Sequence, residues 1–267
     1  MRASRTLAIV LRQIYLLRGS PTRLLPMIAW VAIDIVLWGF ITRYLSALTG
    51  PKVNLVASIL GAVLLWDFLG RVMQGVTTAF FEDVWSRNFL NIFATPLTIA
   101  DYIGGLVLTG IGTSLLGLIA MLTLATTVFG FSFLAYGAAI VPFVLVLFVT
   151  GISLGILGAA IVLRLGPASE WLIWPIPSLL SPFVGVFYPL STLPGWMQAI
   201  GRCLAPSYVF QAMRGIVAGQ GANAGDLAFA VGLSVIYLLG ACWVFARVYR
   251  FALRTGLIAR YSAETAS

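Results

Sequence analysis

Long apolar runs, broken by short polar or glycine- and proline-bearing stretches, dominate this chain. About 20 consecutive apolar residues in a helix cross the hydrocarbon core of a bilayer. Six runs are long enough: residues 24–45, 55–78, 103–129, 133–163, 171–188 and 227–248. The stretch before them has a different pattern. Over residues 1–19, with the helix itself at about 4–19, Arg2, Arg5 and Arg12 fall near one helical face, while Leu7, Leu11, Ile14 and Leu17 lie elsewhere on the wheel. That pattern predicts an amphipathic helix lying in the membrane surface, its arginines toward anionic head groups. Gly19 and Ser20 end it, and Ser20 with Pro21 can open the next helix.

Two stretches between the spans are unusual. In residues 81–97, Phe81, Trp85 and Phe89 recur every fourth residue and so share one helical face. Glu82 and Asp83 stand where acidic groups favour a helix start, and Pro96 ends the segment. Such a helix can dock into a groove on a partner, or it can anchor the loop among head groups. Residues 189–218 are too apolar for an exposed loop and too rich in proline for a span. Two short helices dipping back into the membrane fit them, because interrupted backbone at that depth needs protein or a watery cavity as cover. The alternative is a loop lying on the surface.

Composition narrows the class. The chain of 267 residues is 61% hydrophobic and 9% charged, with mean hydropathy +1.04. Soluble domains carry about 25% charged residues, so lipid is the expected solvent for most of the chain. The net charge of +8 does not imply nucleic acid, since the basic residues flank apolar runs rather than forming a stripe. Their distribution predicts orientation instead. The N-terminal arginines, Arg87, Arg164, Arg247, Arg250, Arg254 and Arg260 fall on one side; Lys52, Arg202, Arg214 and Arg43 fall at or near the other. Both termini are therefore expected in the cytoplasm. Arg12 interrupts the first apolar stretch, which argues against a cleavable signal peptide.

Chemistry is sparse. There is no histidine, and Cys203 and Cys242 lie far apart, so neither a metal site nor a common general base is expected. The only lysine, Lys52, sits between Pro51 and Val53, which excludes a phosphate-binding loop of the G-x-x-x-x-G-K-[ST] type. No enzyme activity is expected. Three ionisable residues fall within spans: Asp34 in the first, Asp67 and Arg71 in the second. Asp67 and Arg71 are four apart and share a face. They can line a substrate path or couple protons; they can equally be an internal pair that fixes helix packing. Gly151, Gly155 and Gly158 give the fourth span a face that permits close helix approach.

With these pieces in place, the chain resembles the type-2 ABC exporter permease family over essentially its whole length, as a single transmembrane domain, 1–267. The telling residues are Tyr188-Pro189-Leu190, Leu193-Pro194-Gly195-Trp196, Ala205-Pro206, Tyr208 and Arg214, which look like the family's motif after the fifth span. Glu82, Leu90, Phe93 and Thr95-Pro96-Leu97 look, more loosely, like its coupling region. The resemblance implies an all-α integral membrane fold: six transmembrane helices, an N-terminal amphipathic helix and a re-entrant hairpin before the last span. It implies a second copy of the chain and a separate ATPase subunit in a bacterial cytoplasmic membrane. That subunit would bind ATP and Mg, and this chain would bind no cofactor itself. Glu82, Asp83, Trp85, Arg87 and Phe89 would meet the ATPase. Pro189, Pro194, Trp196, Pro206, Tyr208 and Arg214 would form an outer gate. The cargo would be a drug-like or lipid-like amphiphile, with lipid-linked polysaccharide as the alternative. An ion-coupled transporter using Asp34, Asp67 and Arg71 is the main rival.

Overall fold

The computed structural model describes residues 3–19, 21–49, 56–86, 91–92 and 94–257. Every regular element among them is helical. Helix α1 spans Ala3–Arg18 and α2 spans Pro21–Thr49. A π-helical turn, Val56–Leu60, leads directly into α3, Gly61–Trp85. Next come α4, Ile99–Phe129, and α5, Ile140–Leu165. The shorter helices are α6, Ile176–Val184, α7, Gly195–Arg202, and α8, Ala205–Val217. Helix α9, Ala224–Arg254, follows. Among the described residues, Ser58–Trp85, Ile99–Phe129, Tyr136–Leu165 and Ala224–Arg254 are long and apolar enough to cross a membrane. The chain thus has the character of a multi-pass membrane protein.

Helix α3 is the centre of the bundle. It packs on α4 and α5, and α5 packs on α9. Phe68, Leu69, Val72, Met73, Val76 and Phe80 of α3 are all buried. Glycines let the backbones approach. A Cβ on Gly151 would stand 2.8 Å from the Leu69 carbonyl oxygen, and one on Gly155 would stand 2.7 Å from Val76 Cβ. The small-residue face expected on the fourth span therefore faces α3, where van der Waals packing replaces the hydrophobic drive that lipid removes.

Local chemistry fixes the helix ends. Thr98 and Asp101 form a reciprocal capping box at the start of α4, and Gly130 ends that helix in the left-handed region at φ 65°. The expected fourth span, 133–163, begins with a 3₁₀ segment, Phe133–Ala139, before α5 proper.

Three expectations are corrected. Residues 171–188 do not form one crossing helix. A 3₁₀ turn, Pro167–Leu172, precedes the nine residues of α6, and Gly185 ends α6 at φ 68°. Nine residues rise about 14 Å, far short of the roughly 30 Å hydrocarbon core. Pro175, Pro177 and Pro182 supply the reason, because each removes a donor and restricts the backbone.

Secondly, Phe81 and Trp85 do not belong to a separate helix. They form the last turns of α3, so Glu82 and Asp83 stand at a helix end rather than a start. Arg87, Phe89 and Phe93 lie outside the described residues.

Thirdly, Arg5 and Arg12 of α1 meet protein rather than head groups. The buried positions of α1 are Thr6, Ile9 and Gln13, whereas Leu7, Leu11, Ile14 and Tyr15 are exposed. Arg5 pairs with Asp101 at 4.0 Å and Arg12 pairs with Asp83. The arginines hold protein carboxylates, and the apolar side faces outward.

Residues 189–218 form a compact helical hairpin. Helices α7 and α8 follow a 3₁₀ turn, Leu190–Thr192, and α8 packs between the π-turn before α3 and the 3₁₀ segment before α5. The hairpin therefore sits at the end of the bundle where α3 begins, while α1 binds the end where α3 finishes.

Candidate functional site

One face of α3 does not pack against protein. It lines a cavity of about 910 Å³ that reaches from Val63 at one end of the helix to Trp85 at the other. Those residues are 22 apart, about 33 Å along a helix axis, which matches the thickness of a hydrocarbon core. Along this wall stand Trp66, Asp67, Arg71, Gln74 and Glu82. Val63, Trp66, Gly70, Gln74, Thr78, Glu82 and Trp85 follow one another at three- or four-residue intervals, as residues sharing one helical face must.

The other walls come from separate elements. Helix α2 contributes Asp34 and Trp38; α1 contributes Gln13; α4 contributes Thr109 and Thr113. The segment around α6 adds Trp174, Ser178, Ser181 and Phe187. Trp38 and Phe187 stack at 4.9 Å between centroids with planes 10° apart, which joins α2 to the turn after α6. Trp66 packs against Phe210 of α8 at 6.0 Å.

The three ionisable residues singled out from the sequence meet here. Asp34, Asp67 and Arg71 all line the cavity and feel one another electrostatically. Oδ2 of Asp67 is sealed from solvent and has no hydrogen-bond partner among the described residues. Such a carboxylate oxygen is costly, because an unsatisfied buried acceptor forfeits its hydration without compensation.

At the Trp85 end, Glu170 holds two aromatic rings. Its carboxylate accepts from Trp85 Nε1 at 3.1 Å and from Trp174 Nε1 at 3.2 Å. Sequence reading missed Glu170. The available signal was its four-residue spacing from Trp174, just before a stretch taken as a span.

The residues expected to meet a partner separate into two groups. Asp83 has 0% side-chain exposure; it accepts from Arg12 and, at 2.8 Å, from the Tyr102 hydroxyl. Phe81 is buried too. Neither side chain is available to a docking surface. Trp85, by contrast, is 53% exposed, and Glu82 lies at the cavity wall.

The residues expected to form an outer gate hold the hairpin together. Tyr208 donates to the Arg202 carbonyl at 2.8 Å, tying α8 to the end of α7. Arg214 donates to the Gly185 carbonyl at 2.8 Å, placing a cation at the C-terminal end of α6 where the helix dipole favours it. Pro194 and Pro206 start α7 and α8, and Trp196 is exposed beside Phe183. Pro189, Tyr208 and Arg214 also line a second cavity of about 600 Å³ together with Gln198, Arg202 and Gln211.

No group of three or more acidic or cysteine side chains among the described residues is placed to hold a metal ion. No family model matches the chain, and no curated protein matches it.

Proposed function

We propose that this chain is the membrane-spanning subunit of an ATP-driven exporter, with the cavity along α3 as the cargo path. The observation that carries this reading is the length of that cavity: polar and aromatic side chains line it from Val63 to Trp85, a full membrane depth. Polar groups at such depth are expensive in lipid and face a protein interior or a watery path. A volume of about 910 Å³ lies within the roughly 300–1,000 Å³ range of small-molecule sites, so an amphiphile of drug or lipid size is the cargo. The resemblance to type-2 ABC exporter permeases supplies the energy source, a separate ATPase subunit that carries ATP and Mg.

In this reading the chain crosses a bacterial cytoplasmic membrane six times, with α2 as the first crossing. The segment from Trp171 to Tyr188 and the α7–α8 hairpin complete a broken fifth. Both termini are cytoplasmic, and two copies form the channel. The exposed Trp85, with Glu82, Arg87 and Phe89, meets the ATPase. Closure of the ATPases would push on the Trp85 end of α3. Arg12–Asp83–Tyr102 and Arg5–Asp101 would carry that push into α1 and α4. The α7–α8 hairpin would gate the outer end.

Co-purification with the product of a neighbouring ATPase gene tests the assembly. Reconstituted complex should transport only with hydrolysable ATP, and Trp85→Ala should uncouple ATPase stimulation while leaving the chain folded. Transport by the chain alone would sink the proposal.

The partnerless Oδ2 of Asp67 favours one rival, an ion-coupled transporter using Asp34, Asp67 and Arg71. It predicts ATPase-independent transport that stops in Asp67→Asn. The four tryptophans of the same cavity also suit a lipid-linked polysaccharide, which export assays with glycolipid cargo would separate from the amphiphile.

A further inference from the structure

The lining of the α3 cavity has an uneven charge. In its middle, Asp34 and Asp67 contribute two carboxylates, against the single guanidinium of Arg71 among the described lining residues. Asp34 lies close enough to act on Asp67, and both act on Arg71, so one cation is shared between two acids in the middle of the path. Oδ2 of Asp67 accepts nothing there among the described residues. The remaining lining is aromatic: Trp38 stacked on Phe187, Trp66, and the pair Trp85 and Trp174. Glu170 takes both indole N–H groups of that pair, which fixes the two rings by their edges.

Indole faces attract cations through the ring quadrupole, and the attraction strengthens where water is excluded. Carboxylates beside aromatic faces therefore select positive charge on an apolar body. An anion meets the opposite field and gains only from Arg71, which already has two acids beside it.

We propose that the α3 cavity is a binding site for cationic amphiphiles, with the positive centre held between Asp34 and Asp67 and the apolar body against Trp38, Trp66 and Phe187. This rests on reading the cavity as the cargo path, and it adds the sign of the cargo's charge. Anionic amphiphiles of equal size are disfavoured on electrostatic grounds rather than by shape, and neutral ones lack the added attraction.

Two probes of nearly equal size and opposite charge test it: tetraphenylphosphonium and tetraphenylborate. The full chain is placed in nanodiscs of zwitterionic lipid, and binding is measured by equilibrium dialysis as the excess over empty discs. Tetraphenylphosphonium should bind at least ten-fold more tightly than tetraphenylborate. Asp34→Asn and Asp67→Asn should each lose about ten-fold for the cation, whereas Asp67→Glu should retain most of the affinity. Trp38→Leu should weaken binding and Trp38→Phe should preserve it. The comparison of two ions on the unaltered chain needs no variant to fold. Equal affinity for both ions, tighter binding of the borate, or full affinity in both asparagine variants overturns the proposal. Cation binding without ATP-driven transport would remove the exporter reading and keep the site. ATP-driven export of anionic or neutral cargo with no cation binding would remove the site and keep the exporter.

Discussion

At the residue scale, the Arg12–Asp83–Tyr102 cluster separates a docking surface from an internal clasp. A fully buried carboxylate that holds a guanidinium and a phenol fixes how α1, α3 and α4 meet. Removing one partner of a buried ion pair costs about 3–5 kcal/mol, because the survivor is left uncompensated. Arg12→Gln and Asp83→Asn should therefore each lower the unfolding midpoint of the detergent-purified chain sharply, followed by tryptophan fluorescence. The double variant should lose far less than the sum, since in it neither charge is stranded. Strictly additive losses would show that the pair does not act as a unit. Tyr102→Phe removes one hydrogen bond to a charged acceptor and should cost about 1.5–3 kcal/mol. If Asp83 instead met the ATPase, Asp83→Asn would impair assembly and leave the isolated chain as stable as before.

At the element scale, the long helices rest on close glycine contacts. Gly155→Leu should abolish a monodisperse folded chain in size-exclusion chromatography, because Val76 Cβ already stands 2.7 Å from where a Cβ would go. Gly155→Ala should be milder, about 1–3 kcal/mol of overpacking. Gly112→Leu is the control: a Cβ there meets nothing within 4 Å, so it should behave as the parent chain. This contact was legible in the sequence, since spacing alone placed Gly151, Gly155 and Gly158 on one face. The same holds for the presence of α4 and α9, where hydropathy and helix length agree, although α4 starts four residues earlier and α9 runs six residues further than expected. The break around α6 was not read correctly. Residues 171–188 are apolar throughout, and hydropathy does not register that Pro175, Pro177, Pro182 and Gly185 confine the helix to nine residues. The side of α1 that faces protein was also hidden. Amphipathicity says that two faces differ, but the partners Asp83 and Asp101 decide which one turns inward. In the candidate site, Asp34, Asp67 and Arg71 stood out as charges in apolar runs. Gln13, Trp38, Glu170 and Trp174 did not, because only the fold brings their three separate segments alongside α3.

At the scale of the whole molecule, the cargo-path reading makes a claim about water. A cavity that runs the length of α3 admits a small polar reagent at every depth, while the opposite face of the same helix stays dry. Cysteine substitution separates the two. The native thiols must go first, since Cys203 is exposed and Cys242 is partly buried; serine at both positions gives the background. Single cysteines at Val63, Gly70, Gln74 and Thr78 lie along the cavity wall. Cysteines at Leu69, Val72, Met73 and Val76 replace buried residues that pack on the other side. A charged, membrane-impermeant thiol reagent, added to chain in nanodiscs where both ends are accessible, should label the first set and spare the second. The decisive positions are Gln74, midway along the cavity at about 16 Å from either end, and Gly70, about 10 Å from the Val63 end. Lipid alone would keep them unreactive, whichever side the reagent came from. Labelling there, slowed by a bound amphiphile, would mean that cargo and water share one route past Asp67 and Arg71. Labelling confined to Val63 and the Trp85 end would mean that the middle of α3 is sealed, and the path would have to be sought between two copies of the chain.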